Sequence, residues 1–357
     1  MCHIYNMDAG ADDPSRRRAV DTLFEQVDGL IDTELQARAL SLALSWGWID
    51  RLATTPQSVM ALASLAGIAP AAARLPVSLL VSSGVLAAGE PVDLAERFRA
   101  LLGHRDLIEA RLWFSLLAGN DVHSHFELLL RDVSGFMSQA QVFELFRYDR
   151  CLTVTDENLG LSRRWVRYTS TLTRYEADAC WQRVGLEGTR RLLDLGGNSG
   201  EFAWQACRRA PRLSATVLDL PVVCALGREH LNGRPGSERV VFHAADMRAG
   251  AFPPGHDLIA FKSVLHDWPD EEAAGFIAAA SAALAPGGRL VIFERGELPL
   301  DGRRLGFASV ANLVFLPFFR AAAFYRDRLA DNGLVITSID SVEIDMPFHL
   351  IVAGKPE

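Results

Sequence analysis

The 357-residue sequence lacks paired cysteines, a surplus of basic charge and any long apolar run. Its five cysteines stand singly with no Cys-x-x-Cys spacing, which argues against a zinc site or a disulfide framework, so we expect no bound metal. The 44 acidic side chains outnumber the 36 basic ones, which argues against a nucleic-acid partner. No stretch of about 18 uninterrupted apolar residues is present, so we expect no membrane span and a cytoplasmic protein.

Two segments could be mistaken for targeting or membrane signals. Residues 8–18 carry three aspartates before three arginines, without the apolar core of a signal peptide, and are too acidic for a transit peptide. The apolar segment Ala308–Phe319 runs directly into Arg320, and we interpret it as a buried helix.

The first 180 or so residues have helical periodicity. Leu35, Ala39, Leu42 and Ala43 recur at helical spacing and predict a first helix. Two more helices are predicted over Ser58–Ala66 and Ala71–Ser82, and the turn Gly89-Glu90-Pro91 follows a short extended run. Three helices followed by a hairpin are typical of a winged helix. Between Leu101 and Trp181 the chain stays helical and rich in aromatic residues.

After Gly185 the pattern changes to short apolar strands that alternate with helices, which predicts a parallel sheet of βαβ units. The sequence therefore divides into residues 1–105, a helical connector over 106–184, and an α/β domain over 185–357. The predicted strands are Arg191–Leu195, Ala215–Leu218, Val240–His243, Asp257–Phe261, Arg289–Phe293, Val335–Ile339 and His349–Ala353.

A glycine-rich loop, LGGNSG, follows the first predicted strand, where an open parallel sheet binds ligands. Asp219 lies 23 residues past Gly196, about where a ribose-binding acid is expected. Asp246 ends the third strand and is followed by Met247, so these residues could hold an adenosine. The dinucleotide pattern G-x-G-x-x-G is absent, which favours S-adenosylmethionine over a nicotinamide cofactor.

Five ordered motifs carry a family resemblance: LLDLGGNSG, LDLP, AADM, FKSVLHDWPDEE and GGRLVIFE. In order and spacing they resemble the S-adenosylmethionine-dependent O-methyltransferases of the caffeic acid and bacterial antibiotic-tailoring type. The resemblance implies a Rossmann-like class I domain with a mostly parallel seven-stranded sheet, preceded by an all-α winged-helix-like dimerisation domain. It also implies a homodimer, and S-adenosylhomocysteine as the product formed from the cofactor.

The resemblance assigns cofactor contacts to five positions and catalytic roles to two. His266, in the HDW motif, would be the general base, and Glu294 at the end of the fifth strand would orient its ring. Asp267, Trp268 and Phe319 would contact substrate. The cofactor would be held by Gly196, Asp219, Asp246, Met247 and Lys262.

The chemistry of methyl transfer supports this choice of base independently. A phenol with a pKa near 10 is mostly protonated at neutral pH, and a histidine, with a pKa of roughly 6.5, suits proton removal. A second histidine pair, His123 and His125, has no matching acid cluster and is interpreted as surface residues.

Two positions depart from the family pattern. Asn198 replaces a usual glycine, and asparagine tolerates left-handed backbone angles, so we expect cofactor binding to survive. Phe319 stands where the family often has a further glutamate, which predicts a more apolar substrate pocket.

The sequence thus predicts an O-methyltransferase that acts on a hydroxyl of an aromatic or polyketide-like small molecule in bacterial secondary metabolism. A relative that methylates nitrogen, or that uses the cofactor without methylating, is the alternative. A winged-helix transcription regulator is a more distant alternative. A DNA-binding element should be basic, whereas residues 1–100 hold 12 acidic and 8 basic side chains. A nicotinamide dehydrogenase is a further alternative, but the dinucleotide pattern is absent and the HDW motif would have no role in such an enzyme.

Overall fold

The computed structural model describes residues 23–31, 34–302 and 305–357. The charged segment 8–18 lies outside the described residues. The described chain begins with a helical half and ends with an α/β half, in the order that the sequence predicts.

The first helices form a compact group that ends in a short pairing of extended segments. Ser58 begins the fourth helix by accepting a hydrogen bond from the Ala61 N–H, and Gly67 ends it at φ 67°. The predicted hairpin is closed by one isolated antiparallel pairing, Leu86 with Leu94, and a second pairing, Gln57 with Val92, joins it to the segment before the fourth helix. The helices are α1 (residues 23–28), α2 (Glu34–Ser45), α3 (Trp48–Thr54), α4 (Val59–Ala66) and α5 (Pro70–Ser82).

The next part of the chain, up to residue 184, contains two long helices, a short helix before them and short segments between them. Helix α7 breaks at His125, which has non-helical φ and ψ of −127° and 26°. Thr155 caps α10 by accepting from the Asn158 N–H. The elements are α6 (Glu96–Leu101), α7 (Arg105–Arg131), α8 (Val133–Gln139), α9 (Val142–Leu145), the 3-10 turn Tyr148–Leu152, and α10 (Asp156–Val184).

A seven-stranded sheet forms the second half, with strand order β3-β2-β1-β4-β5-β7-β6. Strands β1 to β5 pair in parallel, and β7 runs antiparallel to β5 and β6. The predicted mostly parallel sheet is confirmed. The strands are β1 (Arg191–Leu195), β2 (Ser214–Asp219), β3 (Val240–Ala244), β4 (His256–Lys262), β5 (Leu284–Arg295), β6 (Val335–Glu343) and β7 (Pro347–Gly354).

The central strands are buried on both faces, as their uninterrupted apolar runs require. The chain leaves β1 toward β2 on one side and later returns to β4 on the other, so β1 and β4 flank a topological switch point. Ligands bind beyond the carboxyl ends of strands at such a point. The covering helices are α11 (Glu201–Arg209), α12 (Pro221–Leu231), α13 (Asp270–Ala283), α14 (Phe307–Asn312) and α15 (Ala322–Asp331).

The segment Phe307–Asp331 is long and apolar enough to cross a membrane, with a mean hydropathy of 1.6. The structure divides it into α14, the 3-10 turn Leu313–Phe318 and α15, with Phe319 extended between them. The prediction of one helix over Ala308–Phe319 is therefore wrong beyond Asn312. Helix α14 packs against α7, and α15 packs against α13 and the outer strands, so the segment is part of the folded core.

Candidate active site

An open cleft with an empty volume of about 1200 Å³ lies at the carboxyl ends of β1, β2 and β4. One wall consists of polar residues that end the strands, and the other consists of aromatic side chains from the connector. This arrangement suits a ligand with one polar and one apolar end. The cleft is lined by eight of the predicted site residues: Gly196, Asp219, Asp246, Met247, Lys262, His266, Asp267 and Trp268.

Asp219 ends β2 and is fixed by two backbone N–H groups. Its Oδ2 accepts from Asn198 and its Oδ1 from Leu220, both at 2.7 Å. Burial raises the pKa of Asp219 to about 6, although these two hydrogen bonds favour the charged form. A carboxylate oxygen has two lone pairs, so each oxygen can still accept one further hydrogen bond from a ligand.

Asp194, at the end of β1, is a buried acid that sequence reasoning did not single out. Burial and the neighbouring Asp219 carboxylate raise its pKa to about 8, so it is mostly neutral at pH 7. The loop lies directly over it: a Cβ atom added to Gly197 would come within 2.4 Å of Asp194 Oδ2. At Gly196, φ is +64° and an added Cβ would lie 2.5 Å from Val264 Cγ2. Glycine is required at both positions to bring the loop against the strand ends.

Asp246 and Met247 follow β3 and lie at the edge of the cleft. The Asp246 carboxylate accepts from the Arg248 backbone N–H at 2.9 Å and from the Arg248 guanidinium. Those hydrogen bonds, with Arg248 as their donor, lower the pKa of Asp246. A ligand at Asp246 would therefore share this carboxylate with Arg248.

Lys262 is buried in an ion-pair network. Its Nζ donates to Thr173 Oγ1 at 3.0 Å and pairs with Glu176, whose side chain is 0% exposed. Glu176 also accepts from Arg295 at 2.7 Å. Lys262 and Arg295 both line the cleft, so Glu176 balances two cations at its base.

The network continues away from the cleft into the helical half. Arg295 pairs with Asp345 at 3.3 Å, and Asp345 also pairs with Arg111 of α7. Arg111 is 3% exposed and binds Asp28 through two nitrogens, at 2.6 and 3.0 Å. Charged side chains thus connect the first helices to the cleft.

His266 lies in the 3-10 turn Leu265–Asp267, directly after β4. Its Nδ1 is 2.6 Å from Glu294 Oε2, as the sequence predicts for a ring-orienting acid. Glu294 Oε1 also accepts from the backbone N–H groups of Val264 and Leu265, at 2.5 and 2.9 Å. One buried carboxylate therefore fixes both the ring and the turn that carries it.

The electrostatics of this pair favour a charged ring. Burial opposes the imidazolium form, but the Asp267 and Glu294 carboxylates outweigh burial and raise the pKa of His266. Burial would raise the pKa of Glu294, but His266 and the two backbone N–H groups outweigh it and lower that pKa. The nearby Arg295 guanidinium acts against the two carboxylates and lowers the pKa of His266.

Aromatic rings form the second wall of the cleft, and most of them come from the connector. The Phe315 ring lies 6.1 Å from the His266 ring and also lines the cleft. Sequence reasoning missed Phe315, because nothing in its local pattern separates it from the other apolar residues of its segment. The lining phenylalanine, tyrosine and tryptophan rings are Phe114, Phe146, Tyr148, Trp165, Tyr168, Phe202, Trp268 and Phe315.

Comparison with known proteins shows a likeness to O-methyltransferases. A model of the O-methyltransferase domain matches residues 152–313, which hold the glycine loop, Asp219, Lys262, His266 and Glu294. This part of the chain is similar to the O-methyltransferase domain, and it makes up less than half of the chain. The chain is 39% identical over 170 residues to 3-hydroxy-5-methyl-1-naphthoate 3-O-methyltransferase of Streptomyces sahachiroi, an alignment covering 46% of this chain and 48% of that protein. The aligned part thus spans about half the length of that relative.

Two further likenesses extend over most of this chain. Aclacinomycin 10-hydroxylase RdmB of Streptomyces purpurascens is 25% identical over 329 residues, 89% of this chain and 85% of that protein. The solved structure of mitomycin 7-O-methyltransferase MmcR superposes with a TM-score of 0.73, at 20% identity, over 96% of this chain and 99% of that one. The likeness to the MmcR structure supports the fold of this chain.

The two positions that depart from the O-methyltransferase pattern have clear places in the structure. Asn198 adopts a left-handed φ of 53° and its Oδ1 accepts from the Ser199 N–H at 2.8 Å, so asparagine fits where glycine is usual. The Phe319 ring packs 5.9 Å from the His266 ring, but the cleft itself is lined by Phe315. His123 is 54% exposed, and within the described ranges no group of His, Cys, Asp and Glu could hold a metal ion.

Proposed function

We propose that this protein is an O-methyltransferase that methylates a hydroxyl of an aromatic or polyketide-like small molecule in bacterial secondary metabolism, with His266 as general base. The observation that carries the proposal is the His266–Glu294 pair. It faces a cleft whose other end is formed by the glycine loop and Asp219.

The polar wall fits S-adenosylmethionine. The remaining lone pairs of Asp219 suit the two ribose hydroxyls, and Met247 and Asp246 suit the face and the amine of adenine. Gly196 and Lys262 lie toward the methionine end. When bound, the cofactor supplies a methyl group made electrophilic by a positive sulfur.

The protein's own contribution is orientation and proton removal. Because Nδ1 faces Glu294 at 2.6 Å, its N–H is donated there and the Nε2 lone pair faces the cleft. A substrate hydroxyl would give its proton to Nε2, and the ionised Glu294 would stabilise the imidazolium that forms. The aromatic wall would hold a flat, apolar ring system against this base and exclude water.

The alternative is a same-fold relative that methylates nitrogen or uses the cofactor without methylating. Two observations support this alternative. Phe319 stands in place of the family's second glutamate, and the chain is similar to a protein named a 10-hydroxylase. The mass of the product and the position of any added methyl group distinguish the two candidates.

The organisation of the chain is part of the same proposal. Residues 1–105 would form a winged-helix-like dimerisation domain, 106–184 a connector that contributes to the substrate pocket, and 185–357 the cofactor-binding domain. Leu35 and Leu42 are 64% and 43% exposed on α2 and would be covered in a homodimer. We propose a cytoplasmic location.

The first test is calorimetric titration with S-adenosylhomocysteine after removal of any bound ligand. Binding in the micromolar range or tighter is expected, followed by a screen of phenols and enols with methyl-labelled cofactor and mass analysis of products. Folded protein that gives no heat at several temperatures would reject the cofactor assignment. Binding without methylated product would favour the alternative.

Replacing Asp219 with Asn should weaken S-adenosylhomocysteine binding by about 10- to 100-fold, because charged hydrogen bonds contribute about 1.5–3 kcal/mol. In the wild type, affinity should fall as pH drops through about 6, because Asp219 is then protonated and accepts less strongly. Calorimetry at several pH values checks both. Asp340→Asn, exposed on the edge strand β6, is the matched control. Equal affinities for both variants would reject the ribose assignment.

A further inference from the structure

Tyr148 reaches the His266 turn from a distant part of the chain. Its hydroxyl donates to Asp267 Oδ2 at 2.7 Å, across 119 positions of sequence. The ring is stacked on Trp268, with centroids 5.7 Å apart and planes at 24°, and packs edge-on against Trp165 at 6.2 Å. Aromatic contacts on two sides therefore fix the direction of this hydroxyl.

Asp267 directs its other oxygen at the base. His266 Nε2 lies 3.4 Å from Asp267 Oδ1, whereas Nδ1 lies 2.6 Å from Glu294. Charge-assisted N–H···O bonds are typically about 2.7–2.9 Å long, so Glu294 is bonded and Asp267 is held beyond that distance. If Asp267 closed onto Nε2, both ring nitrogens would donate and no lone pair would remain for a substrate proton.

We propose that Tyr148 is a positioning residue: by binding Asp267 Oδ2 it keeps this carboxylate from closing onto His266 Nε2, which stays open to the substrate hydroxyl. The inference rests on the proposed function, because it assigns a purpose to the free nitrogen of the base. Tyr148 is not itself a proton acceptor in this scheme. It acts through Asp267, and both side chains line the cleft.

The charges around His266 agree with this role. The Asp267 carboxylate is the largest influence that raises the pKa of His266 against burial, so closer approach would raise it further and hold the ring as a cation. Arg320 donates to the carbonyls of Leu265 and Trp268 on the same turn. Other titratable or charged groups near this turn include Glu294 and Arg295 from β5, Asp219 from β2 and Tyr325 from α15. Asp270 pairs with Arg320 at 2.7 Å, and the Arg248 guanidinium lies 5.7 Å from the Trp268 ring.

The test compares Tyr148→Phe and Asp267→Asn, singly and together. Tyr148→Phe keeps the ring and removes the donated bond, so the acid limb of the kcat/KM profile should move to higher pH. We expect kcat/KM to be about tenfold lower near neutral pH and to approach the wild-type value at high pH. In the Asp267→Asn background the same change should have no effect, because no carboxylate is left to close. S-adenosylhomocysteine affinity should stay unchanged.

Tyr175→Phe is the matched control. Its hydroxyl also donates to an aspartate, Asp106, at 2.8 Å, but Tyr175 and Asp106 do not line this cleft. This variant should leave the pH profile in place. The proposed role is wrong if Tyr148→Phe leaves the acid limb unmoved. It is also wrong if Tyr148→Phe shifts that limb by the same amount in the Asp267→Asn background as in the wild type.

A second readout needs no substrate. Titration of the His266 ring by NMR, assigned through loss of its signal in His266→Gln, should give the lowest pKa in Asp267→Asn, an intermediate one in wild type and the highest in Tyr148→Phe. Equal values in wild type and Tyr148→Phe would overturn the inference. A wild type that binds cofactor but methylates no hydroxyl would overturn the proposed function alone, because the order of these titrations still decides what Tyr148 does.

Discussion

His266→Ala should lower the rate of methyl transfer by about 10²- to 10⁴-fold, the range that general-base catalysis contributes. The ring is the group whose nitrogen faces the cleft while Glu294 fixes the other side, and alanine removes the proton acceptor without replacing it. Cofactor affinity should stay intact, because the proposed cofactor contacts are the glycine loop and Asp219 and do not include His266. Single-turnover rates and calorimetry measure the two quantities separately.

The control for this variant is His123→Ala, since His123 is 54% exposed and lies outside the cleft. It should keep the wild-type rate. An unchanged rate in His266→Ala would mean that the enzyme works by proximity alone or that its substrate arrives ionised. Wild-type activity should rise with pH, because the base must be neutral and its pKa is raised by Asp267 and Glu294 against burial.

Glu176→Gln should lower the free energy of unfolding by about 3–5 kcal/mol, the usual cost of removing one partner from a buried ion pair. The carboxylate is 0% exposed and balances Lys262 and Arg295. Glutamine keeps the shape of the side chain but leaves two buried cations with one fewer counter-charge. Denaturant-induced unfolding, followed by circular dichroism, measures the change.

Glu127→Gln is the comparison for this stability effect. Glu127 pairs with Arg131 at 2.7 Å, but the two side chains are 80% and 77% exposed. Exposed pairs contribute about 0–1 kcal/mol, so this variant should unfold close to the wild type. Equal stabilities for the two variants would show that water hydrates Lys262 and Arg295 once the Glu176 carboxylate is removed.

The sequence predicts the sheet and the polar wall of the cleft well, because both depend on local patterns. Short apolar runs give the strands, and acids at strand ends fall on one edge of a parallel sheet. The positions of Asp219 and His266 in the cleft follow from that geometry. Their roles remain predictions, because they rest on the resemblance and await the variants above.

Residues that meet across long sequence separations could not be predicted. Glu176 lies 86 positions from Lys262 and 119 from Arg295, and Tyr148 lies 119 from Asp267. Each sits on a helix or turn whose neighbours are set by packing of the connector on the sheet. The apolar segment after Phe307 was assigned one helix because composition does not reveal the break that Pro317 and Phe319 introduce.

The charged chain from Asp28 to Lys262 limits how the protein can be divided for expression. A fragment starting at residue 152, where the matched domain begins, would keep Asp345 and Arg295 but lose Arg111 and Asp28. It would also lose Phe114, Phe146 and Tyr148 from the wall of the cleft. We therefore expect the segment that carries the motifs to fold poorly alone, and a truncated protein would be a poor stand-in for the whole chain in crystallisation or inhibitor screening.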